Sequence, residues 1–483
     1  MSRLLVLAAF AATLHGAVKL PSLISDHMVL QQGVPVRIWG TADAGEAVRV
    51  DFQGQSVTAK ARDNGKWEAW LRPLSAAGPL EMTVNATTIH DVLVGEVWVG
   101  SGQSNMEFVL ANANNHDEEI ARASYPLIHL FHVKKIVAEQ PADEVTGSWE
   151  VCSPQSVPRF SAVEYFFGRH LHQALHVPMG LIESDWGGTP AEAWTSHPAL
   201  EADPALKFAL DNWERVLANY PAAKQRYDQQ VEKAKADGTR PPNPPQGPGH
   251  PNTPAGLFNG MIAPLVPYAI RGVIWYQGEA NANEANAYRY RRLFADMIQD
   301  WRNRWAEGDF PFLFVQLANF KSNQWWPVLR ESQTETLRLQ NTGMALAIDV
   351  GESNDIHPKN KQDVGKRLAL AALHVAYGQG GEYSGPMFSE AVPEGGRMRV
   401  YFTHAAGMQA KGSAEISGFT VAGADGTFVP AEARIDGETL LVSSAQVADP
   451  VAVRYAWADD PICNLVNSAG LPAVPFRSDQ PRQ

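Results

Sequence analysis

Up to about Asp91 apolar and polar residues alternate in short runs. Runs 34–39, 47–52, 67–71 and 82–84 each read as a half-buried strand, because successive side chains on a strand point to opposite faces. Asp43-Ala44-Gly45 and Asp63-Asn64-Gly65 interrupt them with turn-forming residues, so residues 17–91 are predicted to form a β-sandwich region. The same style returns near the end in runs 397–402, 419–421, 439–442 and 451–455, which defines a C-terminal β region, residues 383–483. The pattern leaves open whether the two β regions are one unit or two.

Between them the period changes. Val163, Phe166, Phe167, Leu171 and Leu175 share one helical face behind Ser161, a residue suited to cap the helix, and Gly180-Leu181-Ile182 then returns as a strand. Ile274-Trp275-Tyr276 reads as another strand, followed by a helix whose apolar face carries Leu293, Phe294, Met297, Ile298 and Trp301; runs 312–317 and 344–348 read as further buried strands. Strands alternating with helices predict a parallel sheet covered on both faces over residues 92–382. Charged residues 224–235 precede Pro241-Pro242-Asn243-Pro244-Pro245, an expected exposed excursion, since that many prolines form neither a regular helix nor a central strand.

With 483 residues, 45% of them hydrophobic, the chain has material for two or three domains and is not wholly disordered. A net charge of -12 argues against nucleic acid, whose phosphates call for a concentrated basic surface. Met1-Ser2-Arg3 followed by the apolar run 4–12 and His15-Gly16-Ala17 reads as a signal peptide, residues 1–16, and predicts a secreted or periplasmic protein. No later run is long and apolar enough for a bilayer, so no membrane partner is expected once the leader is removed. Cys152 and Cys463 could pair in an oxidising compartment or stay free, and neither lies in a cluster with zinc spacing, so no metal is expected.

The apolar run 92–99 delivers Gly102-Gln103-Ser104-Asn105-Met106 to a strand end, where a hydroxyl is presented rather than packed. A serine becomes a nucleophile only with a base to take its proton and donors to receive the oxyanion. Trp186-Gly187-Gly188-Thr189, Trp275-Tyr276-Gln277-Gly278-Glu279 and Asp355-Ile356-His357-Pro358 each end or follow a strand-like run, and reactive groups collect at the carboxyl ends of the strands in such sheets. Met106 excludes the Gly-x-Ser-x-Gly elbow. His357 stands in a polar, helix-breaking segment, 351–358, where an imidazole can move and titrate.

With these blocks, the early segment Leu20-Pro21-Ser22-Leu23-Ile24-Ser25-Asp26-His27-Met28-Val29-Leu30-Gln31 and the late Asn464-Leu465 and Gly470-Leu471-Pro472-Ala473, the chain resembles the sialate O-acetylesterases, a branch of the SGNH (GDSL-like) hydrolases. The resemblance covers nearly the whole mature chain. It implies a three-layer α/β hydrolase domain of SGNH type flanked by N- and C-terminal β-sandwich regions, needing no cofactor. The implied substrate is O-acetylated sialic acid or another acetylated carbohydrate, such as acetylxylan, cleaved through an acetyl-serine. A carbohydrate-binding protein with a disabled hydrolase domain is the alternative from another class, and the intact blocks weigh against it.

By the same resemblance Ser104 is the nucleophile, His357 the base and Asp355 the acid that orients it. Only Ile356 separates Asp355 from His357, a spacing that leaves open a Ser-His dyad supported by a backbone carbonyl or Glu279. The implied oxyanion hole combines the Ser104 N–H, an N–H of Gly187 or Gly188, and the Gln277 amide, where the wider superfamily usually has asparagine. Gly188 is expected to supply close backbone approach and an unusual φ. Asn105, Trp186, Trp275 and Glu279 are candidates for substrate contact or support.

Overall fold

The computed structural model describes residues 18–322 and 325–479, so the proposed leader lies outside the described residues. The elements that position the site are β1 (Thr87–Gly102), β2 (Tyr125–His132), β3 (Trp149–Cys152), α1 (Ala162–Leu175), β4 (Met179–Asp185), α2 (Phe208–Asp237), β5 (Gly272–Tyr276), α3 (Tyr290–Trp305), β6 (Phe312–Gln316), α4 (Trp326–Glu335), β7 (Thr342–Leu346) and α5 (Lys361–Val375). The strands lie in the order β7-β6-β5-β1-β4-β2-β3. All neighbours are parallel except β2 and β3, which are antiparallel, so the fold is α/β with a mixed sheet.

Helices cover this sheet on both faces. The α1 helix begins where expected, with the Ser161 side chain accepting from the Glu164 N–H. It packs so closely that a Cβ on Gly168 would come within 2.5 Å of the Leu181 side chain, and one on Gly365 of α5 within 2.6 Å of Phe166. On the other face the apolar stripe of α3 packs on β6, with the Phe294 ring centroid 5.9 Å from Phe312 and 5.1 Å from Phe314.

The central strand differs from the expected layout. At 16 residues, β1 pairs antiparallel with Ala77–Val84 through its first part and parallel with β4 and β5 through its last part, within one 11-stranded sheet. The expected junction at 91/92 therefore falls inside a strand. Residues 87–91 are covered on one side and 92–102 on both, and this change of burial reads along the sequence as a change of element.

Helix α2 was not predicted: it spans 30 residues, passes through Pro221 and includes the charged 224–235. A stripe of Trp213, Val216, Tyr220, Ala223, Tyr227, Val231 and Ala234 at helical spacing runs along it, mostly half-buried, and the sequence reading passed over it because Pro221 and the charges of 224–235 interrupt the pattern. Residues 241–245 are irregular and largely exposed, as their prolines require. The C-terminal β region holds four-stranded antiparallel sheets around Phe388, Phe402, Phe419, Tyr455 and Phe476. Cys152 and Cys463 are both free thiols. Among the described residues no helix is long and apolar enough to cross a membrane.

Candidate active site

At the end of β1, Gly102 has φ +141°, and a Cβ there would lie 2.2 Å from the Tyr276 carbonyl oxygen, so only glycine fits. The chain then turns, with Gln103 N–H donating to Tyr276 O at 3.0 Å and Met106 N–H to Gln103 O at 2.8 Å. This lifts Ser104 out of the sheet, half-buried, at the carboxyl edge. His357 reaches it from the segment after β7, and its Nε2 lies 2.8 Å from Ser104 Oγ. Phe108 stacks against the imidazole, centroids 6.5 Å apart and planes 27° apart. Burial and, second, the Lys361 charge hold the His357 pKa below its ordinary value, while Asp355 and Glu107 act in the opposite direction.

Asp355 does not occupy the position of a triad acid. Its Oδ1 accepts the backbone N–H of His357 at 2.9 Å and lies 3.7 Å from ring Nδ1, beyond hydrogen-bond range. With one intervening residue, the carboxylate closes a turn on the backbone sooner than it reaches the ring. Its expected role is corrected to that of a loop-shaping residue whose negative charge still favours the imidazolium.

The expected oxyanion donors divide. Gly187 lies against Ser104, but its N–H donates to Glu107 Oε2 at 2.6 Å, and the other Glu107 oxygen takes Lys135 Nζ. The Gly187 N–H is therefore engaged. Gly188 is exposed with φ +76°, the predicted unusual conformation, and a Cβ there would meet no protein atom within 4 Å.

Gln277 does not supply an amide to the oxyanion. Fully buried, it commits both hydrogens of Nε2, to Thr189 O at 3.2 Å and Asn281 Oδ1 at 2.7 Å, and its Oε1 accepts from Tyr290 at 2.8 Å. Gln277 thus ties the Gly187-Gly188 loop to the floor of the site. Gln277→Ala should lower stability by about 1–3 kcal/mol for each buried group left unpaired, read as a fall in the thermal unfolding midpoint. A variant that unfolds like wild type yet loses turnover by orders of magnitude would restore the oxyanion role.

The supporting candidates also separate. Trp275 is fully buried between Trp194, Phe294 and Trp301, which makes it core rather than a substrate contact. Trp186 is half-buried under Lys135, whose Nζ lies 5.6 Å from the ring centroid. Asn105 and Glu279 are buried and joined, Asn105 Nδ2 donating to Glu279 Oε1 at 2.6 Å. The sequence reading missed Glu107 and Lys361. Glu107 looks like a surface acid of the serine block, but a signal for Lys361 existed: it opens α5 beside the N-cap Asn360, where the helix dipole disfavours a cation.

The chain matches known proteins in sequence and fold. The family model described as carbohydrate esterase, sialic acid-specific acetylesterase, matches residues 255–374. The mouse sialate O-acetylesterase is 30% identical over 98% of this chain and 96% of its own, and the rat sialate O-acetylesterase 33% identical over 94% and 93%. The chain belongs to the sialate O-acetylesterase family. Among solved structures, a carbohydrate acetylesterase from Xanthomonas citri superposes with TM-score 0.84 at 38% identity, covering 96% of this chain and 100% of that one. As a member of the sialate O-acetylesterase family the chain is a carboxylic ester hydrolase.

Proposed function

We propose that this chain is an exported serine esterase of SGNH type that removes O-acetyl groups from sialic acids. The observation that carries the reading is the 2.8 Å contact between Ser104 Oγ and His357 Nε2 at the carboxyl edge of the sheet. Ser104 Oγ attacks the acetyl carbonyl as His357 takes its proton. The Ser104 and Gly188 N–H groups receive the developing oxyanion, and one such donor is worth about 2.7–4 kcal/mol of transition-state stabilisation. Collapse expels the sugar hydroxylate, which takes the proton from His357. Water, deprotonated by the same imidazole, attacks acetyl-Ser104; the acetyl C–Oγ bond breaks, acetate leaves, and Ser104 Oγ takes the proton back from His357.

Because Asp355 stands 3.7 Å from Nδ1, its removal should cost far less than in a fully bonded triad, where losing the acid costs about 10⁴ in kcat. Asp355→Asn should keep kcat within roughly tenfold of wild type; a loss near 10⁴ would return it to the catalytic set.

A broader carbohydrate acetylesterase is the second reading, favoured by the greater identity to the Xanthomonas citri protein than to the rodent ones. Acetate release from O-acetylated sialic acid beside acetylated xylan, on wild type and Ser104→Ala, separates the two. The reading includes a leader at residues 1–16, export to a periplasm or the medium, and flanking β regions of sandwich type. N-terminal sequencing of the exported protein tests the leader: a start near residue 17 supports it, and a retained Met1 counts against it.

A further inference from the structure

We propose that Lys361 is a positioning residue for the esterase reaction: by donating to Asn105 it dictates which way the Asn105 amide faces, and that amide holds the His357 loop against Ser104. The proposal rests on Ser104 and His357 acting as nucleophile and base.

The hydrogen-bond inventory allows one orientation. Lys361 Nζ donates to Asn105 Oδ1 at 2.5 Å, while Asn105 Nδ2 donates to Glu279 Oε1 at 2.6 Å and to the Ile356 carbonyl at 2.9 Å. An ammonium only donates, and a carboxylate or a backbone carbonyl only accepts. A flipped amide would turn its oxygen toward two acceptors and its NH₂ toward a cation, so Lys361 and Glu279 together lock Asn105. The locked amide spans three of the blocks: it follows the nucleophile, grips the residue before the base, and is anchored on the end of Gln277-Gly278-Glu279.

This lock matters because little else orients the imidazole. Asp355 does not reach Nδ1, so the ring is placed by its backbone and by Phe108. Lys361 supports both: its Nζ lies 4.7 Å from the Phe108 ring centroid and 5.2 Å from that of Tyr276. The lysine is fully buried and sits in the first turn of α5, where the helix dipole opposes it. A residue that breaks a local rule and is held by compensating partners marks a functional position.

The charge adds a second readout, separate from turnover. The groups facing His357 are Lys361, Asp355 and Glu107; those facing Lys361 are Glu279, Asp355 and Glu352. Burial pushes the Lys361 pKa down to about 7, with Glu279, Asp355 and Glu352 acting in the opposite direction, and the Lys361 charge is the second cause that lowers the His357 pKa. Removing that charge should raise the His357 pKa and move the acidic limb of kcat/KM to higher pH.

The test compares Lys361→Met, which removes donor and charge, with Lys361→Gln, which keeps a neutral donor, using para-nitrophenyl acetate. Lys361→Met should lose roughly ten- to a hundredfold in kcat, the cost of a misplaced catalytic group, with KM within about twofold. Lys361→Gln should retain more of the turnover, and both variants should show the raised acidic limb. A kcat for Lys361→Met within about twofold of wild type, or an unmoved acidic limb, overturns the proposal. If near-ultraviolet circular dichroism shows that Lys361→Met does not fold, Lys361→Gln decides alone: a raised limb supports the role and an unmoved limb refutes it. Ser104→Ala assayed alongside keeps the failures apart, since turnover surviving in it would sink the nucleophile rather than Lys361.

Discussion

Ser104→Ala is expected to reduce kcat toward acetyl esters by on the order of 10⁵–10⁶, the loss produced when the nucleophile of a serine hydrolase is removed. Thermal unfolding should stay close to wild type, because Ser104 is half-buried and its hydroxyl bonds to His357 rather than to the core. A serine-directed organophosphonate should label Ser104 in the wild type and fail to label the variant. The neighbouring Ser101 is the natural competitor in peptide mapping, but its hydroxyl is fully buried and faces no solvent path. An adduct on Ser101, or full turnover in a folded Ser104→Ala, would reassign the chemistry.

His357→Ala should produce a loss of similar size and also erase the acidic limb of the pH profile. The sign follows from the required protonation state. A base works when neutral, so activity is full above the free-enzyme pKa of His357 and falls as pH drops through it. Burial and then the Lys361 charge push that pKa below the ordinary 6.5, so the wild-type limb should have its midpoint below pH 6.5. Residual turnover in His357→Ala that keeps the wild-type acidic limb would show that another group titrates.

How much of this was legible depends on what kind of signal each residue carries. Strands β5 and β6 are wholly buried and read as apolar runs, as does β4 up to Glu183-Ser184-Asp185, and Ser161 could be recognised as a cap because capping is a local interaction. Ser104 and His357 were legible for the opposite reason: polar, turn-forming stretches at strand ends have no packing role to explain them. The roles of Gln277, Asp355 and Lys361 were not. Gln277 is claimed by Thr189 and by Tyr290, partners brought near only by the fold. Asp355 is diverted by the N–H of His357 itself, a choice set by backbone angles. Lys361 carries one local sign, a cation opening a helix, but that sign does not tell that the residue is sealed beneath the nucleophile loop.

β1 runs from the N-terminal sheet into the nucleophile turn as one strand, but its pairing with Ala77–Val84 shifts register where Asp91 adopts φ +53°. Beyond that irregularity side chains alternate across the sheet, so inserting or deleting a single residue within 92–102 would exchange the two faces and displace the serine turn by one step. Length variation among relatives should therefore be confined to the loops around this strand. Exchange of the N-terminal β region between two such esterases should succeed only when the whole of β1 travels with it, because the same strand pairs with Ala77–Val84 at one end and with β4 and β5 at the other.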